Sequence, residues 1–276
     1  IHNDSDAAAL LVEAMKKSRP LLGVVHLGAL PSAARHQSMQ AVLDLAVADA
    51  VAYGDAGFDG LVIENFGDAP FRRGTVDDPV TPDVPAAIAV AADRVKERTG
   101  LPVAINCLRN DGMAALGVAA AVQAQWVRVN VLTGAYVTDQ GIIAGDAAKL
   151  AAYRRQLHLD TFLLADFMVK HAMPLVDFDL ATGARDLAER SGADGLVLSG
   201  ARTGQPVDLA LVARVREAVG EFPIWIGSGL DPDNAKELWH RCDGAIVGTW
   251  CKQDGKAGNA VDAGRASILR DACPRR

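Results

Sequence analysis

The chain has 276 residues, 50% of them hydrophobic and 22% charged, a balance that suits one large buried core and argues against disorder. Its net charge of -6 and pI near 5.5 argue against the clustered lysine and arginine surface that nucleic-acid binding needs. The longest apolar stretch, residues 112–122, is shorter than the ~20 residues of a bilayer-spanning helix, so no transmembrane segment is expected. The cysteines Cys107, Cys242, Cys251 and Cys273 have neither a zinc-knuckle spacing nor a disulfide-framework spacing, which points to a reducing, cytoplasmic setting. Residues 1–18 also lack the apolar core of a secretory signal.

The first predicted element is an amphipathic helix over residues 6–17, with Leu10, Leu11, Ala14 and Met15 on one face, expected to plug the bottom of the domain. Strands are predicted at 21–27, 60–63, 102–106, 126–131, 162–165, 195–198, 223–226 and 245–247, separated by helical patterns. Helix starts are signalled by Thr81-Pro82, Asp111, Asp146 and Asp231-Pro232. One phrase recurs three times, at Gly57-Phe-Asp59-Gly60, Gly192-Ala-Asp194-Gly195 and Cys242-Asp243-Gly244, each followed by an apolar run. It reads as a helix end, an Asp-Gly turn and a strand buried on both faces. The predicted fold class is α/β: a single (β/α)8 TIM barrel over 1–276, with 1–18 as an N-terminal helical extension. An open doubly wound sheet is the structural alternative. Strand count, length and the spread of polar residues over nearly every strand end favour closure.

Residues just after the apolar runs fall on the catalytic face of such a barrel. Glu64 and Asp166 each close a run and are candidate general acids or bases; the competing reading is a structural ion pair with Arg128 or Lys170. Lys170 is a candidate to neutralise an enolate or, as a lesser alternative, to form a Schiff base; the competing reading is a solvated loop lysine. His26 ends the first strand, where it titrates near neutrality or is simply hydrogen-bonded; His171 is a weaker candidate, and His2, His36, His158 and His240 read as surface or packing positions. Asn106, Arg128 and Asn130 are candidates to orient substrate hydroxyls or stabilise an oxyanion. A divalent cation such as Mg²⁺ among Glu64, Asp68 and Asp166 is compatible with hard oxygen ligands, although their spacing is not diagnostic.

The last three strand ends are rich in small residues: Ser199 and Gly200, followed by Arg202 and Thr203; Ser228 and Gly229; Gly248 and Thr249. Exposed backbone N–H groups there, with a helix starting at Asp231, are expected to cradle a phosphate, against the simpler reading that glycines merely turn the chain. A bulky residue at Gly229 is then expected to obstruct the anion, and amides at Glu64 and Asp166 to lower turnover while leaving the fold intact.

The stretches His26-Leu-Gly-Ala-Leu-Pro31, Glu64-Asn-Phe-Gly-Asp-Ala-Pro70, Val131-Leu-Thr-Gly-Ala-Tyr-Val-Thr-Asp-Gln-Gly141 and Val197-Leu-Ser-Gly-Ala-Arg-Thr-Gly204 resemble the BtpA/SgcQ family. The resemblance runs from about residue 21 to 269 and implies a ribulose-phosphate-binding barrel with a phosphate site. One branch of that family is named for biogenesis or stability of photosystem I, and another is associated with sugar-uptake gene clusters. No settled catalytic residues carry across from it. The leading expectation is an enzyme acting on a small phosphorylated metabolite, foremost a sugar phosphate, by isomerase, epimerase or lyase chemistry. A non-catalytic biogenesis or stability factor for a photosystem I type complex is the alternative, and a nucleoside or glycoside hydrolase a further one. A homo-oligomer is compatible with the sequence.

Overall fold

In the computed structural model, residues 18–200 and 204–275 are described; the predicted helix over 6–17 and the candidates Arg202 and Thr203 lie outside them. The strands in chain order are β1 (Leu21–His26), β2 (Gly60–Glu64), β3 (Val103–Asn106), β4 (Trp126–Val129), β5 (Ala135–Thr138), β6 (Gly141–Ala144), β7 (Phe162–Phe167), β8 (Ala172–Pro174), β9 (Gly195–Leu198), β10 (Ile224–Ile226) and β11 (Gly244–Val247). Eight of them close into a parallel barrel in the order β1-β11-β10-β9-β7-β4-β3-β2, at the predicted positions. Closure is direct, with Leu21, Leu22 and Gly23 paired to Ala245, Ile246 and Val247.

The described helices are α1 (Met39–Asp55), α2 (Asp83–Thr99), α3 (Gly112–Val122), α4 (Ala147–Gln156), α5 (Leu180–Arg190), α6 (Leu209–Val219), α7 (Pro232–Leu238) and α8 (Ala263–Ala272). Asp111 caps α3 through the Ala114 N–H, and Asp231 makes a capping box on α7. Asp146 stands at the cap of α4 without a side-chain capping bond, its carboxylate pairing with Lys149 instead, and Pro82 rather than Thr81 occupies the cap of α2. No described helix is long and apolar enough to cross a membrane, and all four cysteines are free and buried.

The recurrent phrase is a register clamp. The carboxylates of Asp59, Asp194 and Asp243 accept the N–H of Leu21 at 3.0 Å, Leu163 at 2.7 Å and Ile224 at 3.0 Å, each at or next to the start of the neighbouring strand. Each aspartate N–H donates back to the carbonyl of that same residue. Each carboxylate also meets an arginine projecting from an outer helix: Arg270, Arg154 and Arg216.

The glycines of the phrase divide into two kinds, which corrects the reading of Asp-Gly as a turn. Gly57 and Gly192, at helix ends, are left-handed with φ of 81° and 76°. Gly60, Gly195 and Gly244 are ordinary strand residues. They lack a side chain because the barrel floor needs the room. A methyl group would come within 2.9 Å of Leu22 at Gly60, 2.9 Å of Leu164 at Gly195 and 2.8 Å of the Trp225 ring at Gly244. Trp126 and Trp225 fill that floor edge to face, 6.4 Å apart, with Phe162, Leu22 and Ile246.

One element goes beyond the sequence reading. β6, β5 and β8 form a small antiparallel sheet beside the barrel mouth, and the Thr133-Gly-Ala-Tyr136 block opens its hairpin. Tyr136 and Ile143 turn inward onto Val131 and Val169, while Val137, Ile142 and Met173 point outward.

Gly244→Ala is expected to cost about 1–3 kcal/mol by overpacking Trp225. Gly258→Ala, in open space, should stay within about 0.5 kcal/mol of the parent. Chemical denaturation of both variants checks this; equal stabilities would contradict the packing account.

Candidate active site

At the C-terminal ends of the barrel strands lies a cavity of about 260 Å³, lined on one side by His26, Glu64, Arg109, Arg128, Asn130 and Lys170. Its other wall is made of small residues, among them Gly227, Ser228, Gly229, Gly248 and Thr249. Asp139 reaches the rim from the β5–β6 turn, and Phe66, Phe71 and Leu108 supply apolar surface.

Adjacent β4 and β7 set a buried cation and its partner side by side. Arg128 Nε and Nη2 donate to the two oxygens of Asp166 at 2.8 and 3.0 Å, and Asn130 Nδ2 donates to the same carboxylate at 2.9 Å. Asn106, behind them, donates to the Arg128 carbonyl at 3.0 Å and to Asn130 Oδ1 at 3.3 Å. Asp166 and Asn106 are not among the residues lining the cavity: Asp166 fixes Arg128, and Asn106 braces both.

His26 Nδ1 lies 2.8 Å from the Ala257 carbonyl, which can only accept, so in the neutral ring Nδ1 carries the proton and Nε2 presents its lone pair. Burial, followed by the charge of Lys252, lowers the His26 pKa to about 3. Nε2 stands 3.7 Å from Glu64 Oε1. Burial pushes the Glu64 carboxyl above its usual range, against the pull of Arg128 and Lys170. Lys170 is pressed down to about 8, first by burial and then by Arg128. Burial thus shifts an acid upward and a base downward within one cavity.

The small-residue wall carries unspent donors. Ser199 Oγ and Ser228 Oγ are buried without a partner among the described residues. The N–H groups of Ser228 and Gly229 find no acceptor there either, whereas the Gly227 N–H is committed to Leu198. Gly227 and Gly248 keep the wall open: a methyl group would meet Ser199 Oγ at 2.7 Å in the first and the His26 ring at 2.9 Å in the second.

Three expectations are corrected here. A methyl group at Gly229 or Gly200 would strike the Gln205 carbonyl at 1.8 or 2.2 Å, so these glycines first serve the packing of the 205–206 loop, and a bulky residue at Gly229 tests that loop rather than an anion. The start of α7 is not an open positive end, because Asp231 already accepts its first N–H groups, those of Asp233 and Asn234. Glu64, Asp68 and Asp166 do not converge on a metal: Asp68 accepts from Leu30 and Asn65, Asp166 is held by Arg128, and no such cluster occurs among the described residues.

Other residues shape the mouth. Asn65 clips both backbone groups of Leu108, and Asn110 clips both of Val131. Arg109, displayed on the first of these loops, donates to the Lys170 carbonyl. Their signal in the sequence was their place after the second and third strands.

A closed eight-stranded barrel with its cavity at the C-terminal strand ends defines the TIM-barrel class. Within it the chain belongs to the BtpA family, whose model matches residues 17–274. Photosystem I biogenesis protein BtpA of Synechocystis sp. is 42% identical over 263 residues, 95% of this chain and 90% of that protein. Among solved structures, (S)-3-O-geranylgeranylglyceryl phosphate synthase from Thermoplasma acidophilum, in complex with sn-glycerol-1-phosphate, matches with a TM-score of 0.59 at 17% identity, covering 96% of this chain and 97% of that one. N-(5'-phosphoribosyl)anthranilate isomerase from Pyrococcus furiosus matches with a TM-score of 0.56 at 11% identity, covering 92% and 98%. At these identities the structural likeness concerns the fold alone.

The depressed His26 pKa has a consequence for stability. Between pH 6.5 and about 3 the unfolded histidine takes up a proton that the folded one refuses, so stability is lost as pH falls through this window, by about 1.4 kcal/mol per unit at most. His26→Asn keeps a donor toward Ala257 without a titrating ring. Its denaturation midpoint should fall less steeply from pH 7 to 4 than that of the parent; parallel curves would contradict the buried neutral assignment.

Proposed function

We propose that the chain is an enzyme that acts on a small phosphorylated metabolite, foremost a sugar phosphate, by proton transfer of the isomerase, epimerase or lyase kind. One observation carries the reading: a single cavity joins Glu64 and His26 to a wall of small residues with unspent N–H and O–H donors. Ser228, Gly229, Gly248 and Thr249 would hold the phosphate, with Ser199 and Gly200 supporting the loop behind. Glu64 would move the proton, with His26 Nε2 beside it, and Arg128, fixed by Asp166, would stabilise the oxyanion that develops next to the reacting carbon. Lys170 enters as a cation. The metabolite's phosphate, remote from the reacting bond, supplies binding energy that positions it. The two solved structures named above, a synthase and an isomerase whose names carry phosphorylated compounds, support this class of substrate on this fold. A hydrolase working by paired Glu64 and Asp166 draws no support from an Asp166 engaged by Arg128 and Asn130.

A second reading, an assembly factor, is favoured by one observation. Val137, Ile142 and Met173 form an outward apolar row across the small sheet, continued by Leu175 and Val176. Val137→Glu with Met173→Glu would then abolish partner function while leaving turnover untouched.

Screening phosphorylated sugars for turnover tests the leading reading. On the best substrate, Glu64→Gln is expected to fold normally and to lower turnover by ~100-fold or more. Asp166→Asn is expected to behave differently from the sequence-based expectation: it leaves Arg128 buried without its counter-charge and costs about 3–5 kcal/mol of stability. Full activity in Glu64→Gln would remove that residue from the mechanism.

A further inference from the structure

The cavity has a second cationic pole. Barrel order sets β3 and β4 across from β10 and β11, so the loop carrying Arg109 faces the Ser228 and Thr249 wall. Arg109 is 8% exposed, yet among the described residues its guanidinium makes one hydrogen bond, from Nη2 to the Lys170 carbonyl. Arg109 and Lys170 both line the cavity, and neither has a carboxylate within ion-pair distance among the described residues. Arg128 is unlike them, because Asp166 matches its charge. Desolvation presses both Arg109 and Lys170 toward their neutral forms.

A desolvated cation without a counter-charge is costly, and a cavity-facing pair of them is the arrangement that an anionic ligand stabilises. The charge balance of this pole specifies the anion. Three carboxylates act on Arg109: Asp166 first, then Asp139, with Glu64 adding to them, and Asp139 and Glu64 line the cavity themselves. Asp166 and Glu64 likewise act on Lys170, so the positive field of the pair is already partly offset among the described residues. A pole so offset suits a singly charged carboxylate better than a second, dianionic phosphate, which the same carboxylates would repel more strongly. The planar guanidinium adds the forked geometry that a carboxylate accepts.

We propose that the substrate carries a carboxylate as well as a phosphate, the carboxylate seated on Arg109 and Lys170 and the phosphate on the Ser228 and Thr249 wall. The substrate class is then a phosphorylated hydroxy or keto acid, and Glu64, between the two poles, faces the carbons that separate them. This inference rests on the phosphate reading above.

Calorimetric titration of the parent chain with 3-phosphoglycerate and with glycerol 3-phosphate, which share a three-carbon skeleton and differ at the carboxylate, tests it. The proposal expects 3-phosphoglycerate to bind at least about tenfold more tightly, the scale of a charge-assisted hydrogen-bonded contact. Arg109→Gln should erase that advantage while leaving the affinity for glycerol 3-phosphate within about twofold of the parent, as expected for a contact that touches only the carboxylate. Lys170→Gln, at a lysine whose ammonium makes no hydrogen bond among the described residues, gives the same reading should the buried Arg109 variant fail to fold. Equal binding of the two compounds by the parent would overturn the carboxylate assignment and leave the phosphate site standing. An advantage that persists in every folded variant would overturn it too. Binding of neither compound would overturn the phosphate reading and this proposal with it.

Discussion

The chemistry of the barrel mouth depends on one interaction, the two-point ion pair of Arg128 with Asp166. Both side chains are almost wholly buried, 4% and 3% exposed, and a charge at such a depth persists only with its partner and its hydrogen bonds in place. Asn130 and Asn106 complete that requirement. The result is a permanently fixed cation under the cavity. It acts on His26, Glu64, Lys170 and Arg109 alike, opposing the burial that raises the Glu64 pKa and adding to the burial that lowers the other three. A neutral imidazole, a carboxyl held high and an ammonium whose pKa is pressed down to about 8 thus coexist around one small volume.

The barrel separates this costly arrangement from the parts that stabilise it. At the opposite end, three aspartates lock the strands to one another and to the outer helices, and three glycines admit the rings of Trp126, Phe162 and Trp225 into the floor. Strand register is therefore settled away from the cavity. Loops at the mouth are held by side chains instead: Asn65 and Asn110 each satisfy a pair of backbone groups, allowing irregular chain to sit buried without orphaned N–H or carbonyl groups.

Much of the fold was legible in the sequence because the Asp-Gly phrase repeats where three of the eight barrel strands, β2, β9 and β11, enter the floor, although its glycines serve ring packing rather than a turn. Glu64 and Asp166 were equally visible as carboxylates ending apolar runs. Nothing in either run tells which of them is neutralised, because Arg128 stands 38 residues before Asp166 and the pairing exists only once β4 and β7 are neighbours. The small sheet escaped for a different reason: its strands are three or four residues long and rich in small and polar residues, so no alternation stands out. Gly200 and Gly229 looked like anion-facing glycines, yet the sequence could not reveal that the Gln205 carbonyl would lie against both.

The proposed enzyme needs a phosphate wall and the proton-moving Glu64 in one cavity. A crystal structure of the chain soaked with sn-glycerol-1-phosphate tests it most directly. The phosphorus should lie between the Ser228 and Thr249 loops, within hydrogen-bond reach of the Ser228 and Gly229 N–H groups, with the carbon chain directed toward Glu64. A phosphate bound elsewhere on the surface, or a cavity that stays empty at saturating ligand, would contradict it.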